Sequence, residues 1–463
     1  MLDFNTIRSV YFIGIGGIGM SALARYFMAK GKNVAGYDRT SSELTAHLET
    51  EGAIIHYEDN ESLIPVFCKD KQYTLVVYTP AVPNDHSELT YFCKEGFEVV
   101  KRAQALGTIT QSGKALCIAG THGKTTTSTM LAHILYGSAL KCNAFLGGIS
   151  KNYGTNYLLE ENSEYIVIEA DEYDRSFHHL LPYYTVITST DPDHLDIYGT
   201  KEAYLESFSH FTSLIKEGGA LIIHTGLEMK PATHPSVKVY TYGREDGDFH
   251  AENTKISGGE ITFDLVSPFG NIKNVSLGVP VSINIDNSIG AMALAQLSGA
   301  TNDEIRKGMM SFKGIDRRFD FKFKGKRYVL ISDYAHHPSE IRRCAESIRE
   351  LYNDKRLTVM FQPHLYTRTR DFYLDFAESL SLFDEVILTD IYPARELPIP
   401  GVTSKLIADN LKKGISYTLC KREELPDIIR EREDFEVIVS LGAGDIENYI
   451  DTIKNILQEK ERC

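Results

Sequence analysis

Two glycine-rich turns, each joining a strand to a helix, constrain this chain more than any other feature. The first, GIGGIG at 14–19, lies between an apolar strand at 10–15 and a helix at 18–30. The second, GTHGKTT at 120–126, again follows a short apolar strand and precedes a helix. This order is typical of parallel α/β sheets, and the first turn of the following helix is a place where phosphate groups bind. The sequence therefore predicts two phosphate-binding sites.

The length and the strand–helix rhythm predict several domains. The chain has 463 residues, which at about 150 residues per domain corresponds to roughly three. Strands alternate with helices throughout, so we predict α/β domains with doubly wound, parallel sheets at 1–106, 107–314 and 315–463. At 249–265 a Ser-Gly-Gly turn joins two strand-like runs, which predicts a small antiparallel appendage.

Charge and composition exclude several classes of protein. Lys and Arg total 49 against 63 Asp and Glu, giving a net charge of −14, which disfavours binding to nucleic acid or to an anionic membrane. No apolar run is long enough to span a membrane, and the N-terminus lacks the basic start of a secretory signal. The seven cysteines are odd in number and show no CxxC spacing. We expect a cytoplasmic protein with reduced thiols.

The first glycine turn suits a nucleoside diphosphate. Gly16 and Gly17 allow close approach of the backbone to phosphate, and the helix adds free N–H groups and the positive end of its dipole. Asp38 ends the next strand, 19 residues beyond the last glycine, where an acid can bond a ribose hydroxyl. NAD is not required by this pattern, and the alternative is that the glycines serve only a tight turn. A helix at 42–50 follows, with Ser41 as its expected N-cap.

The second turn is a shortened phosphate loop. Lys124 can reach the β- and γ-phosphates of a nucleotide, and the hydroxyl of Thr125 can bind Mg²⁺. The standard pattern has a glycine where this chain has Ile118, so the loop is a variant. Its position between strand and helix still favours nucleotide binding.

An acidic segment, EADEYD at 169–174, ends a later strand of the central domain. Carboxylates beside a nucleotide site suit Mg²⁺, which prefers oxygen ligands, and Glu169 lies nearest the strand. The alternative is a solvated acidic turn, which we expect for some of Asp171, Glu172 and Asp174.

Further polar groups follow strands of the central and third segments. His194 stands in DPDHLD at 191–196, after a strand at 186–188. A lone histidine is usually structural, but a strand end in the domain of the phosphate loop favours a functional role. In the third segment DYAHHP, at 333–338, follows a strand, and the Arg pair at 317–318 can point at phosphates or lie on a solvated face.

Together these motifs resemble one family along essentially the whole chain, the ATP-dependent Mur ligases of peptidoglycan synthesis. General family motifs are GTHGKTTT at 120–127, EADEYD at 169–174, DHLD at 193–196, RRF at 317–319 and DYAHHP at 333–338. Typical of the branch that adds L-alanine are GIGGIGMSALA at 14–24, FQPHLYTRTRD at 361–371, IYPARELPIPGVTS at 391–404 and LGAGDI at 441–446.

The resemblance implies a fold and a reaction. It implies a Rossmann-like N-terminal domain for a UDP-sugar, a central P-loop ATPase domain with a mostly parallel sheet, and a Rossmann-like C-terminal domain for an amino acid. It also implies that ATP, with Mg²⁺, phosphorylates the lactyl carboxylate of UDP-N-acetylmuramate, and that L-alanine attacks the resulting acyl phosphate to form an amide. These small molecules are the expected partners, and we expect a monomer or a weak homodimer.

The resemblance also implies a role for individual residues. Those implied for ATP are Gly120, Thr121, His122, Gly123, Lys124, Thr125, Thr126, Asn287, Arg318 and Asp333. Those implied for the UDP-sugar are Gly16, Gly17, Asp38, Thr79 and Arg102. Those implied for the amino acid are His337, Tyr366 and Arg368, with Arg370 close to them. Those implied for metal are Thr125, Glu169 and His194, and the implied catalytic set is Lys124, Glu169, His194 and Arg318.

Three positions depart from patterns common in the family. Ile283 stands where a histidine often precedes the central helix, and Leu365 stands where an arginine is frequent. Sister ligases carry a carbamylated lysine where this chain has Phe208, which fits the alanine-adding branch.

Three alternatives remain open from the sequence. The first is the recycling ligase that attaches a whole tripeptide to UDP-N-acetylmuramate, since it shares the ATPase motifs. The second is an NAD-dependent oxidoreductase, which would leave the second phosphate loop and the acidic segment unexplained. The third is a nucleotide-gated regulatory protein with an inactive ATPase.

Overall fold

The computed structural model describes residues 4, 6–83, 85–193, 195–257, 260–394 and 396–462. They form two compact units. The larger unit extends to Lys313, and the smaller contains the chain from Gly314 onward together with Val279–Asn284. No helix in these ranges has the length and apolar character that a membrane crossing requires.

The first sheet has five parallel strands in the order β3-β2-β1-β4-β5. Its elements are β1 (Ser9–Ile13), α1 (Ile18–Ala29), β2 (Asn33–Tyr37), α2 (Glu43–Glu51), β3 (Ile54–His56), β4 (Thr74–Tyr78), α3 (Ser87–Glu95), β5 (Glu98–Lys101) and α4 (Arg102–Ile109). The prediction of Ser41 as N-cap of α2 is wrong: Ser42 accepts a hydrogen bond from the Thr45 amide, and the Thr45 hydroxyl accepts one from the Ser42 amide. This reciprocal cap satisfies two otherwise unpaired donors.

The central sheet has seven strands in the order β12-β11-β10-β6-β9-β7-β8, parallel except for the edge pair β7 and β8. Its elements are β6 (Lys114–Ala119), α5 (Lys124–Gly137), β7 (Asn143–Ser150), β8 (Thr155–Leu158), β9 (Tyr165–Glu169), β10 (Pro182–Ile187), α6 (Leu195–Tyr198), α7 (Lys201–Ser213), β11 (Ala220–His224) and β12 (Lys238–Tyr242). The strand expected at 186–188 begins earlier, because its half-buried tyrosines gave no apolar signal.

A three-stranded sheet accompanies the central one, where the sequence predicts an appendage of two strands. Its strands are β13 (His250–Ser257), β14 (Glu260–Val266) and β15 (Ile272–Ser276). The two glycines of the expected turn, 258 and 259, lie outside the described residues. Two helices follow, α8 (Ile283–Ser298) and α9 (Asn302–Ser311).

The last sheet has six strands in the order β16-β17-β21-β18-β19-β20, parallel except for the edge strand β16. Its elements are β16 (Asp320–Lys324), β17 (Val329–Asp333), α10 (Pro338–Leu351), β18 (Leu357–Phe361), α11 (Tyr366–Leu380), β19 (Glu385–Leu388), α12 (Ser404–Ala408), β20 (Ser416–Leu419), α13 (Leu425–Glu431), β21 (Val437–Leu441) and α14 (Ile450–Arg462). Strands β17, β18 and β21 are almost wholly buried, since helices cover both faces of the sheet.

The domain limits stay predictions, but the structure shows what lies at each. The limit at 106 falls within α4, so one helix joins the first sheet to the central one. The limit at 314 coincides with the point where the larger compact unit ends.

A buried carboxyl group, that of Glu88 in α3, is hydrogen-bonded to the first sheet. Glu88 is fully buried, and its two oxygens accept hydrogen bonds from the Tyr11 hydroxyl at 2.7 Å and from the Asn60 amide at 3.3 Å. The imidazole Nε2 of His56 lies 3.2 Å from Glu88 Oε1. Burial raises the pKa of Glu88 to about 7, although both hydrogen bonds oppose the shift.

We expect Glu88 to make the stability of the first sheet pH-dependent. Its pKa lies higher in the folded than in the unfolded chain, so the folded state binds the proton more strongly and stability falls as pH rises from about 4.5 to about 7. The replacement Glu88→Gln should remove this pH dependence of the free energy of unfolding. We would measure the free energy of unfolding in urea by circular dichroism at pH 5.5 and 8. The difference between the variant and wild type should be about 2 kcal/mol more favourable to the variant at pH 8 than at pH 5.5.

Glu95→Gln, at the exposed end of the same helix, provides the control for the loss of a surface carboxylate. A constant difference between wild type and Glu88→Gln across this pH range would contradict the account.

Candidate active site

The phosphate loop is held in shape by contacts along its whole length. It connects β6 to α5, and Gly123, the N-cap of α5, has a φ of 82°, which favours glycine. The amide of His122 donates to Ser189 Oγ at 2.8 Å, and the amide of Thr121 donates to the Ser189 carbonyl at 3.1 Å. The loop is therefore fixed to the segment after β10, and α5 directs its first amides toward the loop.

Lys124 forms a buried ion pair at the start of α5. Its ammonium donates to the Gly120 carbonyl at 2.5 Å and lies 2.8 Å from Glu172 Oε2. Burial alone would lower the pKa of Lys124, but the charges of Glu172 and Glu169 outweigh it and raise the pKa. The lysine therefore stays cationic. Glu172 is only 2% exposed, so the expectation of a solvated turn is wrong for this residue.

Thr125 and Glu169 stand together beside the lysine. The Thr125 hydroxyl donates to Glu169 Oε1 at 3.0 Å, and Thr125 is buried. One hydroxyl and one carboxylate suit Mg²⁺, which commonly takes its remaining ligands from phosphates and water. Within the described ranges there is no group of three or more His, Cys, Asp or Glu arranged to hold a metal. The third predicted ligand, His194, lies outside the described residues.

Two of the departures from the family pattern have a structural counterpart in the larger unit. Phe208 is fully buried in α7, with its ring 5.2 Å from Phe177 and 5.1 Å from Tyr204, so the position belongs to the core. Within the larger unit, where the family often has a histidine before this helix, His224 from β11 lies with Nε2 3.6 Å from Asp286 Oδ1 of α8.

Asn287 lies in the first turn of α8 and faces the phosphate loop. Its Oδ1 accepts a hydrogen bond from Thr127 Oγ1 at 3.4 Å, and it lies 2.5 Å from where a Cβ at Gly123 would stand. Helix α8 therefore borders the loop, as the expected ATP contact of Asn287 requires.

The first glycine turn is closed by the aspartate that the sequence assigns to ribose. The Gly16 amide donates to Asp38 Oδ2 at 2.7 Å, and Gly17 forms the N-cap of α1. Asp38 therefore stabilises the turn itself, and its contact with ribose stays a prediction. Thr79 follows β4 at the same edge of the sheet as the turn.

Arg102 and its neighbour pair with the acidic segment. Arg102 Nη2 donates to Asp171 Oδ2 at 2.8 Å, and Lys101 Nζ donates to Asp174 Oδ2 at 2.7 Å. Asp171 and Asp174 remain partly exposed, as expected for some residues of this segment, but both of their carboxylates are ion-paired. These pairs join residues about seventy positions apart and have no signature in the sequence.

The smaller unit brings Arg318 and Asp333 onto adjoining segments. Asp333 accepts hydrogen bonds from the amides of Phe319 at 2.6 Å and Ala335 at 2.8 Å. Burial raises the pKa of Asp333 to about 6, and the charge of Arg318 acts in the opposite direction. The guanidinium of Arg318 lies 5.1 Å from the ring of Tyr334.

His337, assigned to the amino acid, caps a helix in this structure. It is the N-cap of α10, with Nδ1 2.8 Å from Ser339 Oγ and its ring 5.3 Å from Phe372. The preceding residue, His336, lies with its ring 6.0 Å from that of His364. Neither His336 nor His364 is among the site residues predicted from the sequence.

Tyr366 and Arg368 occupy the first turn of α11. The Thr367 amide donates to Glu396 Oε2 at 3.0 Å, which fixes this end of the helix. Leu365, the N-cap, has a φ of 71°, an unusual value for a leucine.

Three family models match consecutive parts of the chain. The Mur ligase family catalytic domain matches residues 9–114, the Mur ligase middle domain matches 118–295, and the Mur ligase glutamate ligase domain matches 317–444. With the three large and mostly parallel sheets, these matches confirm the predicted fold class.

Similar proteins span the same length. A UDP-N-acetylmuramate–L-alanine ligase of Phocaeicola vulgatus is 66% identical over 99% of this chain and 100% of its own. A protein of the same name from Porphyromonas gingivalis is 54% identical over 98% of this chain and 99% of its own.

Solved structures show the same fold. The UDP-N-acetylmuramate–alanine ligase of Thermotoga maritima aligns with a TM-score of 0.81 and 27% identity, covering 98% of this chain and 99% of that one. A second ligase of Thermotoga maritima, solved in complex with ADP, aligns with a TM-score of 0.63 and 16% identity, covering 99% of this chain and 100% of that one. The chain belongs to the Mur ligase family.

Proposed function

We propose that this chain joins L-alanine to the lactyl carboxylate of UDP-N-acetylmuramate, at the expense of ATP, in the synthesis of peptidoglycan precursors. The observation that carries the proposal is the phosphate loop, where Lys124 and Thr125 stand opposite Glu172 and Glu169. The relatives that match the whole chain share one name, which supports this ligase rather than a sister enzyme.

The chemistry requires that two anions be held together. A carboxylate is a poor acyl donor, and phosphorylation converts one of its oxygens into a good leaving group. We assign the β- and γ-phosphates of ATP to the loop amides and to Lys124, which exchanges the carboxylate of Glu172 for phosphate oxygens. Asn287, beside the loop, is assigned to the nucleotide as well.

The oxygen donors beside the loop fit a magnesium ion. Thr125 and Glu169 would hold it, and His194 is assigned to a second ion near the carboxylate. When bound, such ions neutralise the charge of the phosphates and of the substrate carboxylate. The task of the protein side chains is to fix the positions of these oxygens.

The UDP-sugar is assigned to the first glycine turn. The amides at the start of α1 and the backbone of Gly16 and Gly17 suit the diphosphate, with Asp38, Thr79 and Arg102 around it. The predicted roles of Arg318 and Asp333 toward ATP, and of His337, Tyr366 and Arg368 toward L-alanine, belong to the same proposal. For the amino acid we add His336 and His364, whose rings meet edge to face 6.0 Å apart beside the residues assigned to it.

Of the rival functions, only the tripeptide-adding ligase requires an experiment. It shares the fold: a murein peptide ligase from Psychrobacter arcticus aligns with a TM-score of 0.69 at 21% identity, covering 97% of this chain and 98% of that one. The names shared by the relatives favour L-alanine and support neither an oxidoreductase nor an inactive ATPase. We further propose that the enzyme acts in the cytoplasm as a monomer or a weak homodimer.

Phosphate release tests the proposed substrate directly. With ATP, Mg²⁺ and UDP-N-acetylmuramate, we expect release on addition of L-alanine, and mass spectrometry should find the UDP-sugar carrying one alanyl group. The tripeptide should give less than about a hundredth of this rate, a discrimination of about 3 kcal/mol. Release with the tripeptide alone would make this chain the recycling ligase, and release with neither would refute both.

Lys124 tests the phosphate loop. Because it is the only side chain of the loop that carries a fixed positive charge, Lys124→Ala should lower kcat by at least about a thousandfold, while UDP-N-acetylmuramate should bind no more than about twofold more weakly than to wild type. Phosphate release and isothermal titration calorimetry measure the two quantities. Lys201→Ala is the matched control, since that lysine is exposed and pairs only with Glu228 among the described residues. Turnover by Lys124→Ala near the wild-type rate would disprove the assignment.

A further inference from the structure

Two parallel ion pairs connect the first sheet to the acidic segment of the central one. Arg102 pairs with Asp171 and Lys101 with Asp174, with similar distances and with all four side chains between a quarter and two-fifths exposed. The basic partners are adjacent, at the end of β5 and the start of α4. The two ion pairs therefore have similar geometry but different surroundings.

Arg102 lies directly on the first turn of α1. A Cβ at Gly19 would overlap its Nη1 and would stand 3.2 Å from its Cδ, so only glycine leaves room for the arginine there. The amides of this turn are the proposed site of the diphosphate. A diphosphate bound there would meet the guanidinium of Arg102, which can take two phosphate oxygens at once.

Asp171 belongs to the segment that bears the groups of the phosphate-loop site. It lies between Glu169, which accepts from Thr125, and Glu172, which pairs with Lys124. Its second oxygen accepts from the Tyr173 amide at 3.1 Å. Because Glu169 and Glu172 lie within two residues of Asp171, a shift of either carboxylate is passed to Asp171 through the backbone.

The backbone just after Asp171 is strained. Asp174 and Arg175 have φ values of 52° and 53°, in the left-handed region that side chains other than glycine seldom adopt. Strain of this kind persists only where neighbouring contacts hold it, and the two ion pairs are among these contacts.

Helix α1 is held from its other side. Asn156, fully buried in β8, donates through Nδ2 to the Ile18 carbonyl at 2.5 Å and accepts from Arg25 Nη1 at 2.8 Å. Because α1 is anchored to the central sheet in this way, an incoming diphosphate acts on the side chain of Arg102 rather than on the helix.

We propose that the Arg102–Asp171 ion pair couples the UDP-sugar site to the nucleotide site. Nucleotide phosphates replace Glu172 as the partner of Lys124, and the acidic segment then shifts. The shift weakens the ion pair between Asp171 and Arg102, and Arg102 becomes available to bind the diphosphate. By linkage, the UDP-sugar favours nucleotide binding by the same factor. Asp171 is thus a positioning residue, and the inference rests on the proposed function because it takes the diphosphate from there.

Binding measured with and without nucleotide tests the coupling. Calorimetry would give the Kd for UDP-N-acetylmuramate alone and with a non-hydrolysable ATP analogue plus Mg²⁺. We expect the nucleotide to tighten binding by about three- to fivefold in wild type, the size that one partly exposed ion pair supports. The coupling ratio is the Kd without nucleotide divided by the Kd with it. In Asp171→Asn this ratio should fall below about 1.5, whereas Asp174→Asn, the matched control, should keep the wild-type ratio.

Each outcome decides the inference. A wild-type ratio of one, an unchanged ratio in Asp171→Asn, or an equal loss in Asp174→Asn would overturn it. If wild type turns over but shows no coupling, only this inference fails; if it does not bind UDP-N-acetylmuramate, the proposed function fails as well. Should Asp171→Asn misfold by circular dichroism, Arg102→Lys replaces it and should also reduce the ratio, because an ammonium lacks the planar fork of donors with which a guanidinium can bind first the carboxylate and then the diphosphate.

Discussion

The buried ion pair between Lys124 and Glu172 is the contact on which the proposed chemistry depends. The two groups lie 2.8 Å apart, with 3% of the Glu172 side chain and 14% of the Lys124 side chain exposed. Loss of one partner of a buried pair leaves an uncompensated charge at a cost of about 3–5 kcal/mol. The pair therefore keeps the lysine cationic and in place beside the loop, and phosphate oxygens are the natural replacement for the carboxylate.

Backbone strain collects around the segments that bear the predicted site residues. Non-glycine residues with positive φ flank Arg318 on both sides, and another immediately precedes Tyr366. Two more, Asp174 and Arg175, stand at the end of the acidic segment that pairs with Arg102. Each such residue costs about 1–3 kcal/mol, so the surrounding contacts must hold these segments in one conformation. Fixed positions are what a reaction between three separately bound substrates requires.

The sequence predicts the sheets and both glycine turns because apolar runs and glycine spacing are local signals. It does not predict β7, whose apolar run is interrupted by two glycines, the short edge strand β8, or the partners of the acidic segment. Glu172 and Asp171 appear solvated in a run of carboxylates, and only the fold brings them to cations 48 and 69 residues away. His337 stands out in its motif, yet its ring caps a helix, and it is His336 that contacts another histidine, edge to face.

The central claim is that ATP activates the carboxylate of the UDP-sugar by phosphorylation at the loop of Lys124. Transfer of oxygen-18 tests it most directly. With UDP-N-acetylmuramate labelled in both lactyl carboxylate oxygens, the account predicts that one label appears in the released phosphate and the other stays in the amide. Label in AMP, or phosphate free of label, would contradict the claim, because the carboxylate oxygen would then not have passed through an acyl phosphate.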